Sequence, residues 1–140
     1  MEPIILIALI SGLVIAFGLA FILFVVWKGL AFADGDLFKA SRLSSGNRLF
    51  PTQVHITPTS VVHYRPRWIG AHEHSIHMAH VASVKIDTHM LFSDVYIETT
   101  GGANAIRCTG HRRGDAVEMK KLIEEYQSEY YRHPPLEGVE

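Results

Sequence analysis

The 140-residue chain has a single cysteine, and between Ile4 and Trp27 it has no charged residue at all. The first scarcity excludes an internal disulfide, and with it the small disulfide-framed folds and the cysteine-rich zinc modules, in agreement with a reducing compartment. Several chemical signatures are also missing. There is no Gly-x-Ser-x-Gly elbow, and "TTGGAN" lacks the spacing and the lysine of a phosphate-cradling loop. Ser60, Ser75 and Ser93 have histidines nearby and Cys108 lies near His111, but none has an orienting group or oxyanion site in view, so no enzymatic activity is expected. No repeat of 20 to 50 residues and no low-complexity segment is present.

The second scarcity leaves 24 uncharged residues in a row, "IILIALISGLVIAFGLAFILFVVW". As a helix rising about 1.5 Å per residue they extend roughly 36 Å, against a hydrocarbon core of about 30 Å, which predicts a transmembrane helix over residues 4–27. A cleaved signal peptide fits less well. "LAFA" at residues 30–33 offers an Ala-x-Ala site, but the apolar run exceeds a signal core, no Lys or Arg precedes it, and Lys28 stands between run and site. Lys28, Lys39 and Arg42 follow the helix while none precedes it, so the positive-inside rule places the N-terminus outside and the rest of the chain in the cytoplasm. Ala8, Gly12, Ala16 and Ala20 recur every four residues, a small-residue stripe on which another membrane helix can pack closely; such residues are also simply common in membrane helices.

Residues 28–47 read as a juxtamembrane linker, with one helical turn near residues 36–43. Period-two alternation then takes over. "TQVHIT" and "SVVHYRPR" flank the turn "PTS", and "HSIHM", "VASVKIDTHM" and "DVYIETT" follow; "GGAN" at residues 101–104 signals a hairpin with "AIRCT" as the return strand. Asp115 and Glu118 form a capping box before an amphipathic helix whose apolar face carries Met119, Leu122, Ile123, Tyr126 and Tyr130. Residues 132–140 read as a frayed tail.

The succession "VHITPTSVVHYRPRWIG", "HSIHMAHVASVKI", "HMLFSD", "VYIETTGG" and a capped final helix resembles the bacterial pleckstrin-homology-like domains often attached to membrane helices. The resemblance covers roughly residues 48–128, placing the domain at 48–131. It implies an α+β domain, an antiparallel curved sheet or partial barrel capped by the C-terminal amphipathic helix, and a role in assembly or membrane association at the bacterial inner (cytoplasmic) membrane. Versions of the family with paired membrane helices are not a guide here, because this chain has one.

"HEHSIHMAH" at residues 72–80 places four histidines in nine positions. His72 and His74 share one face of a strand and can hold a metal if Glu73, His63 or His89 join them, whereas His77 falls on the other face and His80 near a turn. Solvated or partner-facing strand histidines are the alternative, and no resident metal or cofactor is expected. Residues 37–121 hold 11 Lys and Arg against 6 Asp and Glu, a net of +5, while residues 122–140 net −4. Arg65 and Arg67 alternate on one strand, and Arg112 and Arg113 precede the final helix, a set suited to anionic lipid or phosphate. The modest charge on a tethered chain argues against nucleic acid. Met90, Leu91 and Phe92 stand where a hairpin tip is normally polar, and either tuck under the sheet or form a docking patch. The functional expectation is an accessory or assembly subunit of a larger membrane complex, photosynthetic or respiratory by analogy of topology. Its partners are membrane lipids and integral membrane proteins or a second copy of itself. An anionic-lipid module and a metal-binding domain centred on His72 and His74 are the alternatives.

Overall fold

The structure is a computed structural model and describes residues 2–33, 35–102 and 105–133. The chain divides into two compact units, residues 1–30 and residues 31–140. The first is a single helix, α1 (Glu2–Lys28), long and apolar enough to cross a membrane. It ends as the Gly29 N–H reaches the carbonyls of Val25 and Val26 and the Leu30 N–H that of Trp27, tightening the last turn.

Among the described residues the second unit holds seven strands and one long helix. Strands β1 (Asp36–Lys39), β2 (Gln53–Ile56), β3 (Ser60–Pro66) and β4 (Ala71–His77) form one antiparallel sheet in the order of the chain. After a single 3-10 turn (Met78–His80), β5 (Val81–Thr88), β6 (Ser93–Thr99) and β7 (Ile106–His111) form a second. Helix α2 (Arg113–Arg132) follows, giving an α+β fold. The β-branched alternation that marks these strands in the sequence buries one side of each. Val54, Ile56, Val61 and Ile76 from the first sheet meet Val84, Val95, Ile97, Ile106 and Cys108 from the second. Ala116, Met119 and Ile123 recur every three or four residues on α2 and close that core, with Leu122, Tyr126 and Tyr130 at its margin. Fully burying each large side chain of this set stabilises the fold by roughly 1.5–3 kcal/mol, so α2 is integral to the core.

Three expectations change. The stretch read as a linker with a helical turn contributes β1, which pairs with β2 from Asp36↔Ile56 to Lys39↔Gln53. Four residues are too few to display a period, so this strand is specified by its partner. Helix α2 starts at Arg113, two residues ahead of the supposed cap Asp115. Arg112 is the N-cap, with an extended backbone and no side-chain cap hydrogen bond. Because β7 ends at His111, one residue separates strand from helix, and the cap falls where the chain turns. Asp115 sits in the first turn, where its charge complements the helix dipole. The helix also runs to Arg132, into the segment read as a tail. Residues 134–140, and Ala103 and Asn104 of the "GGAN" turn, lie outside the described residues.

The connection from β1 to β2 is pinned onto β7. The Asn47 side-chain amide donates to Ser44 Oγ at 2.8 Å and to the Thr109 carbonyl at 3.2 Å, while its oxygen accepts from the Thr52 N–H and hydroxyl, each at 3.1 Å. Gly110 lies directly beneath, at φ +76°; a Cβ there would collide with Ser44. Its carbonyl accepts from the Ser41 N–H at 2.8 Å, and its N–H donates to Asp94 Oδ1 at 3.0 Å.

Candidate functional site

The register of β3 and β4 decides what the histidine-rich stretch does. Val61 faces Ile76, His63 faces His74 and Arg65 faces His72. These three pairs alternate along the strands, so they share one face, and the first pair is buried in the core. The inner face of the sheet therefore runs from apolar at Val61–Ile76 to basic at Arg65–His72. Glu73 faces Tyr64 on the opposite side and cannot join His72 and His74. His77 ends β4, and its Nδ1 accepts from the Ala79 N–H at 3.3 Å as the cap of the 3-10 turn; its ring sits 5.6 Å from that of Tyr130 on α2. His89 lies elsewhere, its Nε2 3.8 Å from Asp94. Among the described residues no group of three or more His, Cys, Asp or Glu side chains is placed to hold a metal ion.

His63 and one further histidine, His111, are close enough in this interior to act on each other. His111, at the end of β7, is fully buried, and neither ring nitrogen has a hydrogen-bond partner among the described residues; the same holds for His63 Nε2. Burial holds His111 down to about 4, opposed by the charge of Asp94. His63 is also held at about 4, first by burial and then by Arg65, His111, His74 and His72. Both imidazoles are thus neutral at neutral pH. Asp94, beside His111, is buried and accepts from Gly110 N–H and, at 3.2 Å, from Arg107 Nη2. Cys108, also wholly buried, has its thiol pushed up to about 12 by burial and by Asp94, which keeps it protonated at neutral pH.

The arginines do not form one cluster. Arg65 lines a groove of about 340 Å³ with Arg48, Leu49 and Phe50. Arg112 lines a different one, of about 670 Å³, with Lys39, Arg42 and Asp115. Arg67 and Arg113 are exposed. At the β5–β6 turn, closed by the His89 N–H to Phe92 carbonyl bond at 2.8 Å, Met90 is 99% and Leu91 78% exposed, while Phe92 is part-buried. On α1, Ala8, Gly12, Ala16 and Ala20 are all exposed, and Gly12 has open space where a side chain would stand.

Sequence reasoning missed one exposed apolar feature. Trp68 and Ile69, at the tip of the β3–β4 hairpin, are 55% and 94% exposed. The available signal was two large apolar residues between Arg67 and Gly70, where a turn calls for polar residues or glycine. No family model matches the chain, and comparison with the curated proteins gives no match.

Proposed function

We propose that the chain is a non-enzymatic, single-pass membrane protein of the bacterial inner membrane that acts as an accessory or assembly subunit of a larger membrane complex. Helix α1 anchors it, with the N-terminus outside and the domain in the cytoplasm, and the stripe Ala8, Gly12, Ala16 and Ala20 packs against a partner helix. The domain is pleckstrin-homology-like. A four-stranded and a three-stranded antiparallel sheet in chain order, followed by one C-terminal helix that closes the core, support that reading.

The observation that carries the docking role is the apolar tip of the β5–β6 hairpin. Turn geometry does not demand Met90 and Leu91 there, and leaving both in water costs solubility with no gain in stability. A partner surface that covers them recovers that cost. Extraction in a mild detergent, followed by native-mass separation, tests the idea. A stoichiometric membrane partner that is lost on Met90→Ser with Leu91→Ser, or on Gly12→Leu with Ala16→Leu, is the expected result. A chain that migrates alone in every case refutes it.

A further inference from the structure

We propose that the free edge of β4 is a docking strand, on which an extended, acidic segment of a protein partner adds as a further strand of the first sheet. The proposal goes beyond the subunit role and uses none of the residues that carry it.

Each sheet has two outer edges, and among the described residues three of the four are covered. Strand β1 is only four residues long, and the Tyr126 hydroxyl ties its start to α2 through Asp36 at 3.0 Å. Strand β5 has a bulge at its start and lies against α2, whose Gln127 amide donates to the Val81 carbonyl at 2.6 Å. Strand β7 is bridged by the β1–β2 connection, from the Ser41 N–H to the Gly110 carbonyl and from Asn47 to that of Thr109. The fourth edge, β4, is seven residues long, and no proline, lysine or bulge interrupts "AHEHSIH" to blunt it.

Hydrogen bonds at both ends of the β3–β4 ladder fix which groups of β4 are free. The Arg67 N–H bonds to the Gly70 carbonyl at 3.1 Å, and the Met78 N–H to that of Thr59 at 2.7 Å. Bonded pairs alternate along an antiparallel ladder, so Arg65↔His72, His63↔His74 and Val61↔Ile76 are the pairs that exchange bonds between those ends. Pro66, which has no N–H, then falls where none is needed. Glu73 and Ser75 therefore turn both N–H and C=O to the free side, where no described residue pairs with them. Both are exposed. A row of unpaired backbone groups is the template for an extended chain.

The groove beside that edge selects the occupant. It measures about 410 Å³, and His74, His77 and His80 line it with Ser75, Thr99 and Thr100, without a carboxylate. His77 Nδ1 accepts from the Ala79 N–H, which leaves the proton of the neutral ring on Nε2 as a donor. His72 and Arg65 extend the face of His74 toward the hairpin. An added strand places every second side chain on that face, so carboxylates at alternate positions meet imidazole, hydroxyl and guanidinium donors. The positions between them lie beside Glu73 on the other face and suit uncharged, β-branched residues.

The probe is a synthetic peptide of alternating glutamate and valine, added to the isotope-labelled full chain in detergent micelles, with amide exchange read residue by residue. The expected result is exchange slowed roughly tenfold at Glu73 and Ser75, with His72 and His74 unchanged because their amides already bond to β3. A peptide of alternating lysine and valine binds about fivefold more weakly. Ser75→Pro removes a free-side N–H and nothing from the ladder, so it keeps the urea midpoint and abolishes the protection, whereas Ser75→Ala keeps both. No protection at millimolar peptide overturns the proposal and leaves the subunit reading to the extraction experiment. Protection that survives Ser75→Pro places the peptide elsewhere and overturns it as well. Equal binding of the two peptides overturns the acidic character of the partner. Protection present before any peptide is added overturns the partner as occupant, in favour of a second copy if it grows with protein concentration and of residues 134–140 if it vanishes on their removal.

Discussion

Lowering the pH from 7.5 to 5 is expected to destabilise the domain by about 3 kcal/mol, chiefly through His111 and His63. Both have an ordinary imidazole value of 6.5 when unfolded and about 4 in the fold. Between those values the unfolded chain binds the proton and the folded chain does not, so the stabilisation is complete above about 6.5 and is lost as the pH falls towards 4. Each group so shifted forfeits about 2 kcal/mol at pH 5; His63, only part-buried, is discounted to about 1 by solvent screening. The carboxylate Glu98 is held below its ordinary value by its hydrogen bonds from Lys85 and Ser83. Urea unfolding of the full chain in detergent, followed by near-ultraviolet circular dichroism of the packed tyrosines, measures the difference. His111→Leu isolates the cause. It removes two buried nitrogens that have no partner among the described residues, so it leaves stability at pH 7.5 equal or higher, and it lessens the pH dependence by about 2 kcal/mol. If His111→Leu keeps the whole pH dependence, or if the parent protein is equally stable at both pH values, the assignment of the acid response to these imidazoles is refuted.

Cys108, buried and with its thiol near 12, is expected to resist maleimide at pH 8 in the native protein and to react once urea unfolds the domain; rapid native labelling would contradict the packing. Gly110→Ala forces a left-handed residue to carry a Cβ into Ser44 and should cost about 3 kcal/mol, read as a lower urea midpoint with an unchanged slope. Met119→Ala opens a cavity where α2 meets both sheets and should cost about 2–5 kcal/mol in the same assay.

The parts of this fold that are legible in the sequence are those that repeat. Strands β2 to β7 show β-branched alternation, and α2 shows an apolar stripe, because one side of each element faces a common core. The helix over residues 4–27 is legible because an uncharged apolar run as long as a bilayer is thick is rarely tolerated in water. Strand β1 was hidden because "DLFK" is shorter than two full turns of any helical pattern and takes its conformation from pairing with "QVHI". The supposed cap at Asp115 followed from a valid local pattern that lost to the tight exit from β7. Among the site residues, the separation of Arg65 from Arg112 and the pairing of His63 with His74 depend on strand register, which no local signal states. The orphaned interior of His111 required knowing that β7 ends against β6. Trp68 and Ile69 stand in plain view in the sequence, and their misfit to a turn is the informative point.

Strand β1 lies at the edge of its sheet, paired on one side only, and it is the first strand after the apolar helix, with residues 29–35 between it and Lys28. Ahead of β1, Phe32 already stacks on Tyr64 of β3, so the chain is held to the first sheet before the β1–β2 ladder begins. The fully buried core residues lie on β2 to β7, the 3-10 turn and α2, with only Phe38 of β1 at the margin. Strand β1 thus lies at the rim of the buried core, held to the domain by its ladder with β2 and by the Tyr126 hydroxyl's hydrogen bond to Asp36, while the remaining strands and the helix pack on one another without it.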